Sequence, residues 1–196
     1  MQAWWPGGQG GTAIADVLLG RYNPAGRLPY TVYASEAQVP PQDEYDVSRG
    51  FTYMYVKGSP LYVFGHGLSY TEFAYSNLDV SPKQLPADGQ ATVSVDVKNT
   101  GKREGDEVVQ LYVHDVECSV KRAVKELRGL ERISLKPGEK KTVQFKISIR
   151  QLALYSEKTH AFAVEPGKFD LQLGSSSEDI RAREQINVTS SGKWNP

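Results

Sequence analysis

Cysteine is almost absent: Cys118 is the only one in 196 residues, so no disulfide can form within the chain. The three histidines, His66, His114 and His160, are scattered, and no metal-ligand spacing arises from them. Neither a metal nor a cofactor is expected. Long hydrophobic runs are also missing. No window reaches the roughly 18 apolar residues that a membrane-crossing helix needs, and the first residues lack a basic stretch followed by an apolar one. The cellular compartment therefore stays open. An excess of either charge is lacking too, since 23 Lys and Arg face 23 Asp and Glu. A net charge of zero gives no electrostatic ground for a nucleic acid or an anionic membrane as partner.

What is present is 39% hydrophobic residues, enough for one full core and a smaller appendage. Ile14, Val17 and Leu18 recur at helical spacing, Pro6 lies just upstream and Gly20 can take the left-handed position that stops a helix. The pattern predicts a short helix over 12–19. "GRLPYTVY" after the Asn23-Pro24 turn reads as the strand on which it packs. Residues 35–75 read as an extended, aromatic-rich linker with a strand at Phe51–Val56.

Beyond Tyr75 the period changes to two. Val93, Val95 and Val97 alternate with polar residues, as do Val109, Leu111 and Val113, then Val143, Phe145, Ile147 and Ile149, then Phe169, Leu171 and Leu173. Each set predicts a strand with one wet face, on which Tyr112 is the aromatic exception. Asp88-Gly89, Asn99-Thr100-Gly101, Pro137-Gly138 and Pro166-Gly167 supply the turns. Weaker strands fit at Asn77–Val80, Glu126–Leu135, Ala161–Val164 and Gln185–Val188. The fold class expected is mainly β: an immunoglobulin-like or fibronectin type III-like antiparallel sandwich, preceded by a short α/β remnant and a linker.

Four blocks carry a family resemblance: "WWPGGQGGTAIADVLLGRYNPAGRLPYT", "PLYVFGHGLSYTEF", "VKELRGLERISLKPGEKKTVQF" and "VEPGKFDLQLGSSSEDIR". In this order they resemble the C-terminal part of glycoside hydrolase family 3 enzymes, the β-glucosidases and β-xylosidases. The resemblance implies that residues 1–34 end an α/β sandwich domain, that 35–75 link, that 76–188 form the fibronectin type III-like domain and that 189–196 are a flexible tail. It further implies that the nucleophilic Asp and the acid/base, usually a Glu, lie upstream of Met1, in a barrel and in the earlier sandwich domain. The expected partners are those catalytic domains, a carbohydrate substrate through them, and a second copy through the exposed N-terminal helix. The family often carries Glu where this chain has Gln9, which removes a helix-dipole contribution of about 0.3–1 kcal/mol.

No catalytic residue is therefore expected here. The acidic pairs Asp43-Glu44, Asp106-Glu107 and Glu178-Asp179 read as solvated loop charges. Trp4 and Trp5 are candidates for stacking on a sugar face, with packing beside the helix as the competing reading. His66, between two glycines, is a candidate for close approach to a ligand, against a role as a packed loop histidine. Tyr53, Tyr55, Tyr62 and Tyr70 favour covering a domain junction. Two other functions compete with a bracing role. A carbohydrate-binding module needs an exposed aromatic platform, and a protein-interaction module needs an unpaired edge or apolar patch.

Overall fold

The computed structural model describes residues 1–195; Pro196, the end of the expected tail, lies outside the described residues. Eleven strands follow one short N-terminal helix and a helical turn among the described residues. They are β1 (Phe73–Ser81), β2 (Gln84–Leu85), β3 (Gln90–Asn99), β4 (Gly105–Asp115), β5 (Glu126–Leu135) and β6 (Lys140–Ser148). β7 (Leu154–Ser156), β8 (Ala161–Val164), β9 (Gly167–Gly174), β10 (Ile180–Val188) and β11 (Gly192–Trp194) complete the set. One sheet runs β1-β3-β6 and faces a second of order β2-β10-β9-β4-β5, while β11-β8-β7 forms a small third sheet. All pairs are antiparallel except β2 with β10.

The alternation explains the core. Val93, Val95 and Val97 of one sheet and Val109, Leu111, Leu171 and Leu173 of the other are all fully buried in one apolar cluster. Each such side chain contributes about 1.5–3 kcal/mol by leaving water. Phe145 of β6 belongs to the same cluster and lies against Gly129 of β5.

One expectation about these strands fails. β4 has no wet face: Val108, Gln110 and Tyr112, which alternate with its core residues, are buried as well. The segment before the sandwich covers them. The Tyr53 ring stacks on Phe64 at 4.4 Å and meets the Tyr112 ring edge-on at 5.7 Å. The Tyr53 hydroxyl accepts from the Leu127 N–H, and Gln110 donates to the carbonyls of Gly65 and Ser175.

That covering segment is less regular than its sequence pattern implies. α1 spans Gly10–Leu18 and ends at Gly20, whose φ of 72° is the left-handed stop expected there. "GRLPYTVY" forms no continuous strand: it meets the 61–66 stretch at a bridge between Val32 and Tyr62 and through bonds of Leu28 with Gly65 and His66. Phe51–Val56 is not a strand either. Thr52–Tyr55 makes one helical turn, α2, wedged between Tyr112 and the loop that follows β4, where Val124 donates to the Met54 carbonyl. Within the expected tail, Thr189 donates to the Leu85 carbonyl and β11 pairs with β8. No helix among the described residues is long and apolar enough to cross a membrane.

Candidate functional site

A polar cleft of about 460 Å³ opens where the N-terminal segment meets the sandwich. Three separate parts of the chain build it. Arg27, beyond the Asn23-Pro24 turn, forms one wall; the stretch from His66 to Phe73 forms the second; and Glu107 of β4 with Ser175, Ser176, Asp179 and Arg181 around the β9–β10 turn forms the third. The turn is fixed by side chains. Asn23 accepts from the Tyr70 N–H and from Ser69 and donates to the carbonyl of Glu104, the residue before β4, so one amide ties the turn to the second wall and to the start of β4. Gly67 permits this closeness, since a Cβ there would lie 2.4 Å from the Gly26 carbonyl oxygen.

At the back of the cleft Arg27 donates to Glu107 at 3.2 Å, with side chains only 9% and 2% exposed. Arg27 also donates to the carbonyls of Ala25 and Gly26. Burial pushes the Glu107 carboxyl above its usual range, with Arg27 and Arg181 opposing. Arg181 pairs with Asp179 at 2.8 Å, donates to the Phe73 carbonyl and lies 5.2 Å from the centre of the Tyr75 ring. That guanidinium holds the Asp179 carboxyl below its usual range. Burial, then Glu107, raises the Tyr75 phenol far above its ordinary value. The charges at the cleft thus sit in two pairs of opposite sign, the first buried and the second partly exposed. Glu107 accepts through one oxygen, Oε1, from the Arg27 guanidinium and from the Val108 N–H, and its pairing with that guanidinium makes it a weaker nucleophile than an unpaired carboxylate.

Of the candidate residues, His66 lines this cleft, its ring 5.3 Å from Tyr62. Trp4 and Trp5 do not line it. Trp4 meets the Tyr30 ring edge-on at 5.7 Å, and Trp5 is 92% exposed. Tyr70 donates to the Val17 carbonyl, tying α1 to the junction, as Tyr53 ties α2. Glu107 was read as a solvated charge and is among the most buried side chains. Its parity marks it: it stands two residues before Val109 in the inward register of β4. Asp106, its neighbour, faces the other way and pairs with Arg132.

Elsewhere on the sandwich Tyr155 and Phe162 are exposed neighbours, but their rings cross at 71° and offer no common plane to a sugar. Among the described residues no group of three His, Cys, Asp or Glu side chains could hold a metal ion.

Residues 1–70 match the glycosyl hydrolase family 3 C-terminal domain, and residues 107–177 match a fibronectin type III-like domain. The chain is 42% identical over 192 residues to a periplasmic β-glucosidase of Salmonella typhimurium, covering 92% of this chain and 25% of that protein. It is 41% identical over 182 residues to a β-xylosidase of Formosa agariphila, covering 91% of this chain and 25% of the other. Among solved structures, β-glucosidase 3B from Thermotoga neapolitana, in complex with α-D-glucose, superposes with a TM-score of 0.85 at 32% identity, over 96% of this chain and 28% of that one. The chain thus spans about a quarter of the length of the curated relatives it matches.

Proposed function

Since the chain belongs to glycoside hydrolase family 3, as a C-terminal segment of it, we propose that it braces the catalytic part of a retaining, exo-acting β-glycosidase that removes terminal β-linked glucose or xylose. One observation carries this reading. Most of the large apolar side chains left exposed lie in residues 1–70, among them Met1, Trp4, Trp5, Leu18, Leu19, Tyr22 and Leu68, whereas the sandwich behind them closes its own core. α1 keeps Ile14 and Val17 half-buried and turns Leu18 and Leu19 to solvent. An exposed apolar surface concentrated in one segment of a chain is what a protein interface leaves when its partner is removed. The partner is the rest of the α/β domain.

Retaining hydrolysis needs two carboxyl groups about 5–5.5 Å apart with one free to attack. In this reading those groups belong to the catalytic part, and this segment supplies rigidity. The chain by itself therefore gives no turnover of 4-nitrophenyl β-glucoside or β-xyloside above a denatured control.

The test is an exchange. The matched quarter of the Salmonella β-glucosidase is replaced by this chain, and hydrolysis of 4-nitrophenyl β-glucoside is measured. The bracing role predicts an active chimera, an inactive enzyme when the quarter is simply deleted, and lower activity with Leu18→Asp, which sets a charge into the interface. A deleted enzyme that keeps full activity overturns it.

A further inference from the structure

The junction cleft holds more hydrogen-bonding capacity than the junction uses. Glu107 takes both of its bonds, from Arg27 and from the Val108 N–H, through Oε1, and its Oε2 takes none from the described residues. Glu72 and the His66 ring line the same space, and neither side chain is hydrogen-bonded among the described residues. Ser176 Oγ accepts from the Asp179 N–H and keeps its own proton to donate. The guanidinium groups, in contrast, spend most of their donors on carboxylates and backbone carbonyls, and only the Arg27 Nε–H is buried without a partner among the described residues.

This inventory selects a ligand. An anion entering the cleft meets Glu72, Glu107 and Asp179. A cation meets Arg27 and Arg181, and pulling Glu107 from Arg27 strands a charge in a nearly closed site. A neutral molecule with several hydroxyls does neither, because each hydroxyl can donate to a carboxylate oxygen and accept from Ser176 or His66 without breaking an ion pair. The volume, about 460 Å³, falls within the range of small-molecule sites. We propose that the cleft formed by Arg27, His66, Glu72, Glu107 and Ser176 binds a neutral polyhydroxylated molecule of the monosaccharide or polyol class. All five of these residues belong to this chain, so a titration of the chain tests the cleft separately from the bracing role.

The probes are glucose, xylose and glycerol, titrated into the isotope-labelled full chain and followed by backbone amide NMR, with acetate and ethylammonium as charged controls. Saturable shifts at Gly67, Ser176 and Asp179 are expected for at least one sugar or for glycerol, and none for the charged controls. Glucose or xylose without glycerol identifies a pyranose site, whereas all three identify a general polyol site. Glu72→Ala and His66→Ala each weaken binding about tenfold, the loss of one strong hydrogen bond. Trp5→Ala leaves it unchanged. Both cleft variants change groups at the rim, and their amide spectra report folding directly. The proposal is overturned if no neutral probe saturates below about 0.2 M. Shifts that gather around Trp4 and Trp5, or binding only of acetate or ethylammonium, overturn it equally.

Discussion

Arg27 and Glu107 lie 80 positions apart and meet almost without water. Removing one member of such a pair costs about 3–5 kcal/mol, because the other charge stays buried alone, while replacing both by apolar residues is often neutral. Arg27→Met should therefore lower stability by about that amount in urea unfolding, because it leaves the Glu107 carboxylate buried alone, and Arg27→Met with Glu107→Leu should be milder than either single change. A double less stable than both singles would show that the pair itself holds the junction. The pH dependence has a definite sign. Glu107 is raised by burial, so its contribution is complete below the ordinary carboxylate value and is lost as pH rises through its raised value. Asp96 is held low by bonds from Lys140, Thr142 and Asn77, so its contribution is complete above the ordinary value and is lost as pH falls through its lowered one. Asp96→Asn should flatten the acid-side fall in stability, and Glu107→Gln should remove the decline just above the carboxylate range. Neither residue stood out by composition. Glu107 is betrayed only by strand parity, and Asp96 only by the three partners that folding brings to it.

Strands were legible because each had one face committed to the core, as in β3, β6 and β9, where period two survives translation into burial. β4 departs from its expected wet face because it lies between the core and the covering segment, and Phe51–Val56 departs from a strand because so short an aromatic run carries neither period. Gly129 offers a test at this scale. A Cβ added there would lie 2.6 Å from the Phe145 ring, which is packed in the core and cannot swing aside. Gly129→Ala should cost about 1–3 kcal/mol by overpacking, and Phe145→Ala about 3–5 kcal/mol by leaving a cavity. The two should not add: in the Phe145→Ala background the alanine enters vacated space, so its own penalty should disappear. Strict additivity in thermal or urea melts would place the strain elsewhere.

The molecule as a whole is a sandwich wearing a coat. Three of the four blocks that carry the family resemblance reach the cleft, through Arg27, through His66 and through Asp179 with Arg181, yet nothing in their spacing said that they converge. Convergence depends on how residues 20–72 fold back, and that path is set by isolated bonds, such as Leu28 to His66 and Gln110 to Gly65, which leave no periodic trace. The coat is also what makes β4 a buried strand. A chain shortened to begin at Phe73 keeps every strand and the apolar cluster, so it should still unfold cooperatively. It loses the cover over Gln110 and Tyr112, the carbonyl partner of Gln110 at Gly65 and the partner of Glu107 at Arg27. Uncovering one ring of that size forfeits about 1.5–3 kcal/mol, and the lost bonds add to it. The shortened chain should therefore melt below the full one and bind a dye such as ANS on the bared sheet, and the difference in midpoint should shrink when Tyr112→Ser removes the exposed ring from both. Equal midpoints for the two lengths would mean that the N-terminal segment rests on the sandwich without stabilising it, and the rigidity asked of a brace would then have no source in this chain.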